Sequence, residues 1–303
     1  MENTWQRRWL WIAIILTLAV TITMIRETTQ ASSEASCQTF TSQTELNSSK
    51  NRIARLISGM PDEDVVAWIT GVRPAPLDIQ QEIDAHAGCL LAAMGASTQD
   101  IISWRRDANA QARIWNRKYE FLRSGEGGTG PFGRITENSR AQCGSLLEAA
   151  TGWDPDNDKH RTCWFSLSSK QRQVEILQTS AAPGISRHHW GTDLDLFSDN
   201  PIEWADDGPR QPEYRLLQAH GARHGFIQPY TSASTKPSFI EERWHWSYYP
   251  VSQALLEFIR VRQNAVEDQL LTLWKDHPER FTYIHQHWQD YTFHVNEQAC
   301  FCS

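Results

Sequence analysis

Residues 183–196 read PGISRHHWGTDLDL, and residues 241–248 read EERWHWSY. Together they gather His188, His189, Asp193, Asp195, Glu242 and His245 into two short segments. A catalytic zinc site needs three imidazole or carboxylate ligands, one open position for water, and a nearby carboxylate to take that water's proton. A His–Asp–His set with a spare Glu is that inventory. The remaining histidines, His86, His160, His220, His224, His277, His285, His287 and His294, show no ligand spacing and read as surface or hydrogen-bonded side chains. His285 and His287 fall on a helical stretch, where positions i and i+2 diverge in direction.

Outward from these segments, strands are predicted over 194–197, 225–230 and 240–249, with a short β-like run, DIISW, at 100–104. Helices are predicted over 50–60, 78–96, 109–122, 137–151, 168–179, 213–224 and, after Pro250, 251–274. The glycine-rich loop at 124–134, SGEGGTGPFGR, is followed by no G-K-[ST] and so is not a phosphate loop. The polar stretch at 153–160, WDPDNDKH, reads as a loop and lacks the glycine and terminal Glu of a calcium hand. Helices set apart from short strands by irregular loops point to an α+β fold rather than βαβ units. The expected architecture is a small antiparallel sheet that carries the zinc site, flanked by helices.

The chain has 303 residues, 40% hydrophobic and 21% charged, a globular composition. Its formal net charge of −7 gives no bulk electrostatic reason to bind nucleic acid. Arg7 and Arg8 precede the apolar run WLWIAIILTLAVTITM at 9–24. The run lies between a signal-peptide core and the roughly 18 or more residues of a spanning helix. Cleavage after Ala31 or Ala35 and retention as an inner-membrane anchor both remain open. Either way the rest is exported, to the periplasm or cell envelope, since the positive charges hold the N-terminus inside. Any membrane association runs through this segment alone. An even set of six cysteines in an oxidising compartment suggests disulfides. Cys143 and Cys163 share one insertion and form the expected pair, while Cys300 and Cys302 are expected to tie down the C-terminus.

Ser186-x-His188-x-x-Gly191-x-Asp193-x-Asp195 resembles the S-x-H-x-x-G-x-A-x-D signature of the VanY-like zinc D-Ala-D-Ala carboxypeptidases, within the LAS metallopeptidases. Glu242-x-Trp244-His245 is similar to that family's E-x-W-H, and residues 102–111, ISWRRDANAQ, to its I-S-G-Y-R-S-x-x-x-Q. Residues 180–184 and 224–230 agree as flanks, so the resemblance covers roughly 80–250 in order. It implies that His188, Asp195 and His245 hold Zn2+, His188 rather than His189 being three residues before Gly191. It implies Glu242 as the general base, Arg106 as the stabiliser of the developing oxyanion, and Gln111 and Ser186 as holders of the substrate backbone. The implied substrate is a peptidoglycan stem peptide, and the implied reaction is removal of a terminal D-Ala.

The chain departs from the pattern at four places. Asp193 stands where the family has a small residue. On a strand it would share a face with Asp195, as an acceptor behind the metal or a contact for a substrate ammonium, unless the strand twists it to solvent. Trp104-Arg105 replaces Gly-Tyr, Arg243 replaces a proline, and an insert at about 122–177 either covers the cleft or decorates the fold. The implied organisation is a signal or anchor at 1–26, a flexible linker at 27–50, a zinc peptidase domain at 51–250 and a C-terminal helical extension at 251–303. Two alternatives stand beside the carboxypeptidase: an endopeptidase or L,D-carboxypeptidase with the same site, and a non-catalytic zinc-containing wall-binding module. The absence of any C-x-x-C argues against a thiol-redox protein.

Overall fold

Asp193–Leu196 (β2) forms the centre of the sheet because it is buried along its whole length and pairs on both edges. The computed structural model describes residues 37–128, 133–147, 150, 152–233, 239–299 and 301. The 9–24 run and the pair Cys300 and Cys302 lie outside them. Among the described residues, no helix is long and apolar enough to cross a membrane. The chain divides into two units, Met1–Gln38 and Thr39–Ser303, and the sheet lies in the second.

Four antiparallel strands lie in the order β1-β2-β4-β3, with β1 at Ile101–Ser103, β3 at Phe226–Ile227 and β4 at His245–Tyr248. The β2–β4 register sets Asp193 opposite Ser247, Leu194 opposite Trp246 and Asp195 opposite His245. With a side-chain period of two, one face therefore carries Asp193, Asp195, His245 and Ser247. The other carries Leu194, Leu196, Trp246 and Tyr248, all buried in the hydrophobic core. The strands are shorter than the sequence suggested. Pro229 has no N–H to give a ladder. Glu242 instead bridges back singly, its N–H donating to the Tyr230 carbonyl at 3.0 Å.

Among the described residues, the helix Gln43–Ser58 begins inside the expected linker, ahead of the start expected at Lys50. Ser42 caps it by accepting from the Glu45 N–H, and Leu46, Ile53 and Ile57 form its buried stripe, too sparse among polar residues to show before Lys50. Asp158–Ser166 is helical where a loop was expected up to 160; Asn157 caps it by accepting from the Lys159 and His160 N–H groups. The predicted long helix after Pro250 is two, Tyr249–Val261 and Gln263–Trp274, broken at Arg262. No glycine or proline marks that break. The Arg262 N–H still bonds to Phe258 and Ile259, and its guanidinium pairs with Asp62.

The insert joins the hydrophobic core through Leu147, Trp153 and Trp164. Cys143 and Cys163 are bonded within it, with Cα atoms 5.6 Å apart, as expected. Cys37 and Cys89 are each disulfide-bonded as well. Phe121 stacks on Trp164, and Trp153 meets both rings edge-on. The buried Glu175 carboxylate accepts from the Ser139 hydroxyl at 2.6 Å and the Trp153 indole at 2.9 Å within the insert, and from Gln178 at 3.0 Å just beyond it.

Candidate active site

The segment after Gly184 delivers its histidines on a short 3-10 turn, Arg187–Trp190. Gly191 ends the turn at φ 76°, a left-handed conformation that side-chain-bearing residues rarely adopt. The turn is held from outside: the Trp68 indole donates to the Trp190 carbonyl at 3.0 Å, the Trp104 indole to the Gly191 carbonyl at 2.9 Å, and the Arg106 N–H to the His188 carbonyl at 3.2 Å. Trp104 thus braces the motif in this chain, and the Arg105 guanidinium lies over its ring.

His188 points its ring at the sheet. Its Nδ1 lies 2.6 Å from the Trp104 carbonyl, so that nitrogen donates and Nε2 faces Asp195 Oδ2 at 3.2 Å. His245, directly across from Asp195, presents Nδ1 to Asp195 Oδ1 at 3.0 Å and to Glu242 Oε2 at 3.2 Å. One ligand atom from each of His188, Asp195 and His245 lies within 4.8 Å of the others, and all three residues are buried. The set fits a small cation. Two imidazoles and a carboxylate are zinc donors, and buried Asp195 Oδ1 has only the His245 Nδ1 facing it, a nitrogen that would itself turn to a cation.

The electrostatics agree. Burial and the Arg106 guanidinium hold His188 below the usual imidazole range, so its lone pair is available. Burial also opposes charge on His245, but Asp195, Asp193 and Glu242 outweigh it and raise its pKa well above the ordinary value. A cation would replace that proton. Burial raises the Glu242 carboxyl, with Asp195 adding to the effect, which moves it toward the range of a working general base.

His189, adjacent to His188, is committed elsewhere. Its Nε2 accepts from the Gly184 N–H at 3.0 Å, so Nδ1 carries the proton and donates to the Arg106 carbonyl at 2.7 Å. Burial pushes its pKa down to about 4, and with both nitrogens used it is no ligand. Gly71 closes over this ring; a Cβ there would come within 2.5 Å of His189 Nδ1. The Arg106 guanidinium, its side chain 24% exposed, reaches 3.9 Å from Asp195 Oδ2. Buried Gln111 donates to the Ala181 carbonyl at 2.6 Å and leaves its own Oε1 unpartnered. Ser186 is buried where the turn begins.

Asp193 takes one of the placements expected for it, an acceptor behind His245, whereas Lys118 went unread in the sequence. Asp193 is turned neither to solvent nor toward a substrate ammonium; it is fully buried behind His245, between Arg187 and Ser247. Lys118 is also buried, its ammonium donating to Ser180 at 2.7 Å and Thr179 at 3.2 Å. Burial lowers its pKa to about 8, with Asp199 opposing. The signal was there: Gln111, Trp115 and Lys118 share one face of Ala108–Tyr119, a stripe that packs on the approach to residues 183–196.

A buried His–Asp–His set beside an unspent glutamate on a small antiparallel sheet defines a candidate metallohydrolase centre. The chain belongs to the VanY family, described as D-alanyl-D-alanine carboxypeptidase, whose model matches residues 77–251. No curated protein matches it. Among solved structures, VanYB in complex with D-alanine-D-alanine is 18% identical, the match covering 59% of this chain and 75% of that one with a TM-score of 0.34. The LdcB LD-carboxypeptidase is 16% identical, covering 58% and 70%, with a TM-score of 0.31.

Proposed function

We propose that this chain is an exported zinc carboxypeptidase that removes the terminal D-Ala from peptidoglycan stem peptides. Family membership supports the carboxypeptidase class and the wall-peptide substrate. The observation that carries the mechanism is the convergence of His188, Asp195 and His245, with Glu242 beside His245 and outside the ligand set. Those three residues would hold the zinc, which when bound supplies Lewis acidity to a water and to the scissile carbonyl. Glu242 takes the attacking water's proton and returns it to the leaving amine. Arg106 supplies positive charge where the oxyanion develops. Ser186 and the unpartnered Oε1 of Gln111 are assigned to the substrate's backbone. Export rests on the arginines and apolar run at the N-terminus.

The test is to incubate the full-length protein with purified muropeptides, with and without a chelator, and to read the products by mass. Loss of a single terminal D-Ala, abolished by chelation and restored by zinc, is the expected result. Cleavage at an internal or L,D bond would move the assignment to the endopeptidase or L,D-carboxypeptidase reading. No cleavage by zinc-loaded protein would leave the wall-binding module.

A further inference from the structure

Asp193 occupies a position where the resembled signature has a small residue, and its surroundings show what it does. Its Oδ2 accepts from His245 Nε2 at 2.7 Å and from Arg187 Nε at 2.9 Å. Its Oδ1 accepts from the Ser247 hydroxyl at 2.5 Å and from the Thr192 hydroxyl. A second Arg187 nitrogen donates to the same Ser247 hydroxyl at 2.7 Å, and the Arg187 guanidinium lies over the Trp190 ring, 4.5 Å from its centroid. Asp193, Arg187, Thr192, Ser247 and His245 are all buried. Four donors thus fill the carboxylate, and the arginine balances its charge, which is the condition under which a buried acid stays ionised without a large penalty.

We propose that Asp193, clamped by Arg187, Thr192 and Ser247, is a positioning residue that fixes the ring and tautomer of His245 so that Nδ1 is the metal-binding nitrogen. The proposal rests on the zinc reading above. An ionised carboxylate only accepts, so His245 Nε2 must carry a proton. In the neutral ring the lone pair then sits on Nδ1, the atom facing Asp195 and Glu242. A carboxylate behind a metal-binding imidazole orients the ring and raises its basicity, at a typical gain of 10–100-fold in metal affinity. The strand's two-residue period supplies this geometry directly. Asp193 and Asp195 project to one face and take the two nitrogens of a single histidine on the neighbouring strand. Arg187 also keeps the second acid from adding net negative charge beside Asp195 and Glu242.

Two measurements on the full-length protein test this. Zinc affinity is measured by chelator competition for the wild type, Asp193→Ala, Asp193→Asn and His188→Ala, with thermal unfolding of the metal-free forms as a control on folding. Asp193→Ala should weaken zinc about 10- to 100-fold. Asp193→Asn should recover part of the loss, since its amide oxygen still accepts from Nε2–H, and His188→Ala should abolish binding. A brace with no bearing on the metal would instead lower unfolding temperature and leave affinity per folded molecule unchanged, which overturns the proposal. The second measurement needs no Asp193 variant: nitrogen NMR of the histidines in the zinc-loaded wild type. It should show His245 protonated at Nε2 and metal-bound at Nδ1; the reverse assignment overturns the proposal. A wild type that holds no zinc overturns the zinc reading and this proposal with it. A wild type that binds zinc no more tightly than Asp193→Ala overturns this proposal alone.

Discussion

Glu242 and His245 stand three positions apart, yet their proposed tasks differ: one moves a proton and the other holds a cation. Glu242→Gln keeps the size and hydrogen bonding of the side chain but cannot accept a proton. Turnover should fall by about 10² or more, while zinc content stays near one per chain and substrate affinity changes far less. Activity and zinc measured on one preparation check this, and near-normal turnover per zinc would remove Glu242 from its role. Lys118 allows a pH prediction. Its pKa near 8 is below the ordinary 10.5, so between those values the unfolded chain binds the proton that the folded one has released. Folded stability therefore rises with pH across that window, by about 3 kcal/mol at most for this one group. Lys118→Met should flatten that rise, read as the difference between the two proteins in denaturant unfolding at pH 7.5 and 9.5. Equal slopes would show that the ammonium is not buried in solution. At this scale the sequence was legible through the resemblance, whose register to Gly191 the site motif follows. His188 was separable from His189 by its distance to Gly191, and the structure gives His189's nitrogens to Gly184 and Arg106. What could not be read was Asp193's surroundings, because Arg187 and Ser247 come together with it only through the strand register.

Among the elements, the sheet was foreseen because buried strands leave short apolar or alternating runs, and β2 and β4 fall where those runs stand. Their ends were not foreseen, since ladder length depends on which neighbour is present. The Arg262 break was hidden because the apolar pattern runs through it and no glycine or proline marks it. The Cys143–Cys163 bond closes a loop of 20 residues, for which chain-entropy arguments give about 3 kcal/mol. Replacing both cysteines by serine should lower unfolding free energy by about that amount. The Phe121–Trp164 stack and the Gln173 bond to Tyr283 still tie the insert to the rest of the chain, so zinc affinity should hold. Loss of zinc in the double variant would mean that the insert sets the site's geometry directly.

At the scale of the molecule, the expected boundary between a peptidase domain and a C-terminal extension is crossed by the larger hydrophobic cluster of the described residues, which runs from Ile53 to Tyr291. The helix Tyr249–Val261 lies against Gln43–Ser58, where the Tyr249 hydroxyl donates to Asn47 at 2.7 Å and Lys50 pairs with Glu257 at 2.6 Å. Further along, the Trp274 indole donates to the Pro183 carbonyl at 2.9 Å, at the start of the 183–196 segment. Gln173 in the insert accepts from the Tyr283 N–H at 2.8 Å. Asn296 donates from its backbone to Pro229 and from its side chain to Gln228, on the path to Glu242. Removing 251–303 would strip Leu255, Leu270, Ile284 and Trp288 from the core, expose the apolar surface they cover, and take the Trp274 and Asn296 donors from the Pro183 and Pro229 carbonyls. Each large apolar side chain contributes roughly 1.5–3 kcal/mol by burial, and each orphaned buried carbonyl costs about 1–3 kcal/mol. Those losses, roughly 8–18 kcal/mol together, are as large as the roughly 5–15 kcal/mol that a whole domain has in reserve. A chain ended after Pro250 should therefore fail to fold or bind zinc. The full-length protein should unfold in one transition, coincident by tryptophan fluorescence and far-ultraviolet dichroism, which added zinc moves upward as a unit. Two separated transitions, or a truncated chain with native dichroism and bound zinc, would show that the C-terminal helices are an appendage and that the site stands without them.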